Sequence, residues 1–413
     1  MSSPSSLVVS QNHVETPFII VNIGKYRFGH TEKTYRDRLK TTFDITNQNY
    51  IKSLRVVKIN GAINTYTLNM VYAITQDDDP NRLEKIFSSI SSDRTITLMY
   101  GDWNAPQFIF KEEKALVTKL TTRLNVSSST IEYSLQCVGT VFSASANNFY
   151  FPSRKSKPST VLLEMLGDKK YQLGQIFQGM QNPSTKNFIV TDDCEVLLES
   201  KTCTIFEYIS YLVSCMVYEG DEGKTLKTSC YFWSTYDDYK NTYGGSYFKV
   251  VRASANTDTL VSYNTYEVDV GYPTTNCVTN FTLNNDDSWS ILYNYSSQEQ
   301  LTTHSYYFDD DGKMVKQEAP SLLNSASSYI MTEATRNWWS KMTQFPVTAT
   351  LTMKGLLRPA LLMSYVKVNT LFYGRKHTSS GLYIITKQED SVSESGYRTT
   401  LSLTRVGGDE KYI

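Results

Sequence analysis

The sequence predicts a mainly β protein with a few helices (α+β): two small β-barrels, each with a packed helix, and an inserted α+β domain between them. Three observations carry this. Aromatic residues make up 13% of the 413 residues, with 30 Tyr, 18 Phe and 5 Trp, a content that favours pleated, half-buried strands over helical bundles. Short runs of alternating apolar and polar residues recur along the chain. One succession of elements also occurs near both ends: an amphipathic helix, a Thr-rich strand, then a hairpin closing on an alternating strand.

Residues 1–16 are polar, carry Pro4 and show no periodicity, and read as a flexible arm. The first barrel is expected over 17–149. It opens with FIIVNIGKYRF (18–28) as one strand, followed by YIKSLRVVKING and INTYTLNMVYAI paired through Gly61. In the second of these, Tyr66, Leu68, Met70, Tyr72 and Ile74 share a face. A helix start follows: Asp79 caps, Pro80 takes the first helical position, and Leu83, Ile86, Phe87 and Ile90 form a stripe. Asp77 and Asp78 beside the cap favour the unpaired amides of a helix N-terminus rather than a metal. RTITLMYG, APQFIFKEEKALVTKLTTRL and TIEYSLQCVGTVF complete this half. In the last, Ile131, Tyr133, Leu135 and Cys137 alternate with Glu132, Ser134 and Gln136.

The inserted α+β domain is expected over 150–300, lending strands to the second barrel. FPSRKSKPST, with two prolines and three basic residues, reads as a connector. TVLLEMLG is a short helix stopped by Gly167. Thr204 opens a second helix with a capping box to Glu207, and Ile205, Ile209, Leu212, Val213 and Met216 lie on its buried face. Strands are expected at TSCYFWSTY, SYFKVVRAS, TYEVDVGY, CVTNFTL and WSILYNYS.

The second barrel is expected over 301–413. An i, i+4 stripe of Ala326, Ile330, Ala334, Trp338 and Met342 predicts a helix over 325–343, ended by Pro346. PVTATLTMKG, ALLMSYVKVNTLFYG, GLYIITKQED and GYRTTLSLTRVGG follow as strands. RTITLMYG corresponds to VTATLTMKG, and TIEYSLQCVG to YRTTLSLTRVGG, so the chain reads as a duplication. Three chains with two equivalent barrels each present six similar units about an axis, which matches a threefold object to a sixfold one.

Lys and Arg number 41 and Asp and Glu 41, so the net charge of zero excludes an extended basic nucleic-acid arm. No run of 18 uncharged apolar residues and no basic n-region before an apolar stretch occur, so neither membrane insertion nor a signal peptide is expected. The six cysteines lack zinc spacing and are expected as free thiols. No GxSxG, HExxH or GxxxxGK[ST] is present. Glu112, Glu113 and Glu207 are the carboxylates from which a glycoside-hydrolase pair would be drawn, but an alternating strand and a capping box account for them, and no enzyme activity is expected. An EF-hand-like count from Tyr307 places Asp309, Asp311 and Glu318 at ligand positions. The first position is Tyr, and a polar Asp-Gly hairpin explains the same letters. Trp338 and Trp339 point about 100° apart on a helix, so they form no flat sugar platform. With Tyr383 and Tyr397 they are candidates for packing and interfaces. No cofactor and no metal are expected.

At GLLRPALLMSYVKVNTLFYGRKHTSSGLYIITKQEDSVSESGYRTTLSLTRVGG the sequence resembles the baseplate hub proteins of bacteriophage tails and contractile injection systems. The resemblance runs from Asn337 to Gly408, through NWWSKMTQFP, the GLLRP turn and the hairpin of GLYIITKQED with GYRTTLSLTRV. It extends more loosely over 18–142. It implies a homotrimer with two tube-type β-barrels per subunit, forming a pseudo-sixfold ring between the hexameric tail tube and the threefold central spike. Implied partners are the tail tube protein, the central spike protein, surrounding baseplate proteins, the tape-measure protein, and genomic DNA in transit without sequence-specific binding. The implied location is the virion, after assembly in the host cytoplasm. The aromatic, Thr and Asn content also fits an alternative from another class, a carbohydrate- or receptor-binding β-protein.

Overall fold

The structure, a computed structural model, describes residues 17–24, 26–29, 51–74, 76, 79–88, 94–102, 110–216, 230–238, 244–253, 264–270, 278–285, 304–308, 314–318, 347–354, 362–377, 379–393 and 395–408. The first elements are β1 (Pro17–Ile23), β2 (Tyr26–Gly29), β3 (Ile51–Ile59), β4 (Thr65–Ala73), α1 (Arg82–Ser88), β5 (Thr95–Asp102), β6 (Phe110–Asn125) and β7 (Thr130–Gly139). Next come β8 (Asn148–Phe151), β9 (Arg154–Ser156), α2 (Pro158–Gly167), the single turn α3 (Leu173–Ile176), β10 (Val196–Leu198), β11 (Lys201–Thr204), α4 (Ile205–Cys215), β12 (Cys230–Asp238) and β13 (Gly245–Ala253). The last are β14 (Asn264–Val270), β15 (Val278–Asn285), β16 (His304–Phe308), β17 (Met314–Glu318), β18 (Val347–Lys354), β19 (Tyr365–Phe372), β20 (Arg375–Lys376), β21 (Gly381–Ser393) and β22 (Gly396–Gly408).

Fourteen of these strands join one sheet, whose main path is β15, β18, β22, β21, β3, β4, β7, β6, β5, β1, β2. Alternation sets which side of it is buried. Tyr66, Leu68, Met70 and Tyr72 of β4 and Ile131, Tyr133, Leu135 and Cys137 of β7 enter one core, as their two-residue period requires. Burial raises the Cys137 thiol to about 12, which keeps it an unreactive thiol. The sheet curls until β1 lies near β3 and β21, enclosing this first core with α1 against it. Asp79 Oδ1 accepts from the Asn81 N–H at 3.0 Å, and Leu83, Ile86 and Phe87 are buried, Phe87 edge-on to Tyr133 at 5.1 Å.

Two expectations about local structure are corrected. FIIVNIGKYRF is a hairpin of β1 and β2 rather than one strand, because Gly24 at φ +57° turns the chain back so that Ile23 pairs with Tyr26. FPSRKSKPST is no loose connector: β9 pairs with β10, and Pro158 and Ser159 are buried at the start of α2. There the Asp193 carboxylate accepts from the Ser159 N–H at 2.9 Å, a donor that the helix leaves open, and from the Ser159 hydroxyl at 2.5 Å. Burial raises the Asp193 pKa against the opposing effect of these bonds. The capping box opening α4 is present: Thr204 Oγ1 accepts from the Glu207 N–H at 3.3 Å, and Glu207 Oε2 accepts from the Thr204 N–H at 2.9 Å.

The two halves meet on the long hairpin β21–β22. One edge of β21 is divided between two partners, Gly381–Ile384 pairing with β19 and Lys387–Ser393 with β3. The opposite edge pairs with β22 along its length, with irregularities at Leu382/Tyr383 and Ile385/Lys387. Two strands from the middle of the chain join this sheet, β15 against β18 and β14 parallel to β19. A second core therefore combines residues of 141–251 with residues of 349–403, Phe177, Phe206, Phe248, Leu351 and Tyr383 among them.

The echoed strands have different neighbours in the two halves. β5 pairs with β6, the first strand of its hairpin, whereas β18 pairs with β22, the second. Since β3 and β19 occupy the outer edge of β21, β22 is the edge of that hairpin open to β18. The helix expected over 325–343 and the strand WSILYNYS lie outside the described residues.

Candidate functional site: the polar face of the shared sheet

Opposed residues of an antiparallel ladder share a face, so the strand registers trace which side chains lie together across the sheet. One row runs Lys119, Gln136, Thr67, Arg55, Ser391 and Arg398 through β6, β7, β4, β3, β21 and β22. Another runs Thr121, Ser134, Asn69, Ser53 and Ser393. In the other half, Lys387, Ser402, Thr350 and Thr282 run through β21, β22, β18 and β15, and Glu389, Thr400, Thr352 and Asn280 run beside them. All these residues are exposed or half-buried, while Leu54, Leu68, Leu135, Leu351 and Leu401 on the reverse side are fully buried. Eight strands thus share one broad polar face crossing both halves, rich in hydroxyl and amide groups.

Its central charges are paired. Glu389 Oε1 accepts from Arg55 Nε at 2.7 Å, Lys387 Nζ lies 3.1 Å from Glu389 Oε2, and Lys52 Nζ lies 3.7 Å from Glu132 Oε1. The bond from Arg55 holds Glu389 below the usual carboxylate range, with Lys387 adding to the effect. Such exposed pairs contribute little to stability. They do offset the basic charge of the face, and Asn69 Nδ2 donates to Ser53 Oγ at 3.0 Å within it.

Beneath the face, on the core side, lies a buried polar network at the junction of the halves. Glu113, 4% exposed, accepts from Lys58 Nζ at 2.5 Å, Tyr66 OH at 2.7 Å and Tyr100 OH at 2.9 Å. Asp390 of β21 accepts from Gln388 Nε2 at 2.9 Å, Tyr397 OH at 3.2 Å and Thr399 Oγ1 at 2.6 Å. Tyr100 and Tyr397 meet edge-on at 6.2 Å, joining the two carboxylate clusters. Burial foremost, then the negative charges of Glu113 and Asp390, raise the pKa of Tyr100, so its hydroxyl remains a donor.

The sequence candidates are dispersed. Glu113 is enclosed in this network, Glu207 is held by its capping box, and the side chain of Glu112 lies outside the described residues. Glu318 pairs through its backbone with His304 in the antiparallel pair of β16 and β17. Asp309 and Asp311 lie outside the described residues, as do Trp338 and Trp339. Among the described residues no group of three His, Cys, Asp or Glu side chains is placed to hold a metal, and no helix is long and apolar enough to cross a membrane. Tyr383 and Tyr397 are core residues, 0% and 3% exposed, so within this chain both serve packing rather than an outer interface. Tyr383 donates to the Ser379 carbonyl at 2.6 Å. Lys58, Arg55, Glu389 and Asp390 stand in no motif. Their signal was alternation alone, which sets Lys58 with Leu54 and Val56, and Asp390 with Val392, on the buried side.

No known protein-family profile and no curated protein matches the sequence. Solved structures similar to the chain are proteins of phage tails and related injection machines. One is a tail protein from Neisseria meningitidis MC58, at 7% identity and a TM-score of 0.46, covering 94% of this chain and 96% of the other. Another is a 43 kDa tail protein of prophage MuSo2 from Shewanella oneidensis, at 10% identity and a TM-score of 0.47, covering 95% and 97%. A third is an Escherichia coli type VI secretion component described as structurally similar to bacteriophage T4 tail proteins, at 7% identity and a TM-score of 0.44, covering 86% and 73%.

Proposed function

We propose that this chain is a structural hub of a phage-type tail baseplate, without catalytic residues. Three copies form a pseudo-sixfold ring that joins the hexameric tail tube to the threefold central spike and continues the channel for the genome. Residues 17–149 and 301–413 supply the two tube-type units. Residues 150–300 are the insertion, which lends β14 and β15 to the second unit. Partners are the tail tube, spike, tape-measure and surrounding baseplate proteins, in a virion particle assembled in the host cytoplasm.

The observation that carries this reading is the polar face. A passage for a polyanion works best when its wall is wetted and weakly charged, because each phosphate contact made by a free cation adds to affinity and slows transit. Thr, Ser and Asn side chains supply the wetting, and Glu389 and Glu132 offset part of the charge of Arg55, Lys387 and Lys52, leaving Lys119 and Arg123 of β6 as cations at one margin of the face. One sheet with cores on its reverse side can hold such a wall rigid through both halves.

The purified chain is expected to scatter light with three times its sequence mass and to co-sediment with tail tube. A concentration-independent monomer that ignores tail tube would refute the hub reading.

A further inference from the structure

Among the described residues the outer edge of β6 is paired for only half its length. β5 covers Phe110 to Leu116, and the Val117 N–H donates to the Arg94 carbonyl at 3.0 Å. From Thr118 to Asn125 the strand pairs, among the described residues, with β7 alone, and every residue from Thr118 to Leu124 is exposed. Such an edge is a template for another strand. Its core side carries Leu120 and Leu124, 39% and 69% exposed, beside a groove of about 510 Å³ lined in part by Ile74, Leu124 and Ile131. Its polar side carries Lys119, Thr121 and Arg123.

A second edge of matching character ends the same sheet. Among the described residues β15 pairs only with β18, and its apolar side carries Phe281 and the exposed Leu283, its polar side Asn280, Thr282 and Asn284. We infer that the free edge of β6 takes β15 of a second copy, head to tail. This rests on the trimeric hub reading and adds how its copies join. In that pairing apolar side chains meet apolar ones, polar meet polar, and the polar face continues from copy to copy. Charge selects this partner. Lys119 and Arg123 have no ion pair among the described residues, and β6 paired with itself about Thr121 sets Lys119 opposite Arg123, a destabilising arrangement. The polar side of β15 carries no cation. Head-to-tail contacts close into a ring when the rotation between copies permits.

The test is disulfide trapping in the full chain. Thr121→Cys is combined in turn with Asn280→Cys, Thr282→Cys and Asn284→Cys, with each single variant and the wild type oxidised alongside. The reduced variants are weighed by light scattering. At least one double variant is expected to give a covalent trimer, and no single variant or wild type to give one. A trimer by light scattering whose double variants all fail to cross-link overturns the edge pairing and leaves the hub reading standing. Cross-linking by Thr121→Cys alone assigns the edge to self-pairing and also overturns it. A chain monomeric at every concentration removes both.

Discussion

Replacing Glu113 with alanine is expected to destabilise the protein by about 3–5 kcal/mol, the loss typical of a buried ion pair deprived of one member. The carboxylate holds three donors from three other strands: Lys58 of β3, Tyr66 of β4 and Tyr100 of β5. Without it, the Lys58 ammonium, on a side chain 21% exposed, keeps its desolvation and loses its counter-charge. The hydroxyls of Tyr66 and Tyr100 lose this acceptor as well, and a buried hydrogen bond deprived of one member costs about 1–3 kcal/mol. Removing both charges is a different experiment. Glu113→Leu combined with Lys58→Met leaves no orphaned ion, and is expected to lose less than Glu113→Ala does. Urea midpoints at unchanged slope measure both. A loss below about 1 kcal/mol for Glu113→Ala, small for any buried network, would show that this carboxylate does not bind the strands together.

Gly29→Ala is expected to cost about 3 kcal/mol or more, the sum of a strained backbone and an overpacked contact. Gly29 ends β2 at φ +135°, a conformation that side-chain-bearing residues rarely adopt. A Cβ there would stand 2.0 Å from the Ile19 carbonyl oxygen and 2.8 Å from the Ile20 Cα. Both are backbone atoms of β1, so no rotamer change relieves the clash and the hairpin must open. Gly61→Ala is the control. At φ +68° it carries strain, but its Cβ meets Trp233 Nε1 at an ordinary 3.4 Å, and about 1 kcal/mol is expected. Thermal unfolding of the two variants should rank them clearly. Equal losses would mean that β1 and β2 do not approach so closely at Gly29.

Elements governed by neighbouring residues were legible in the sequence. The Thr204–Glu207 spacing announced its capping box, and alternation assigned the buried sides of β4 and β7. Elements governed by distant partners were not. Whether β21 pairs with β19 beside it in sequence, with β3 more than three hundred residues away, or with both is recorded by no periodicity. The parallel joining of β14 to β19 is of the same kind. Gly24 could be read as part of a strand, since a glycine fits both a strand and the turn it makes. The polar face was half legible: TATLT and TTLSLT show threonine on alternate positions, but only register shows those positions aligned across eight strands. Glu113 sits in KEEK, which looks like a solvated charge run. Its position two residues before Ala115 and four before Val117 marks the buried side, yet the lysine and tyrosines that make burial tolerable come from other strands.

Two kinds of buried contact hold the sheet as one wall. Apolar side chains fill a core behind each half, and the linked Glu113 and Asp390 clusters fix β21 against the first half where the cores adjoin. Directional bonds resist slippage of strand register better than apolar contact, because a slip of one residue moves each donor and acceptor to the opposite face.

The most direct measurement is an electron-microscopy reconstruction of the purified, assembled protein. A threefold ring with an open bore is expected, its wall formed by the side of the sheet that carries Thr67, Asn69, Ser391, Thr400 and Thr350. A particle without a bore, or one with that side on its outer rim, would contradict it.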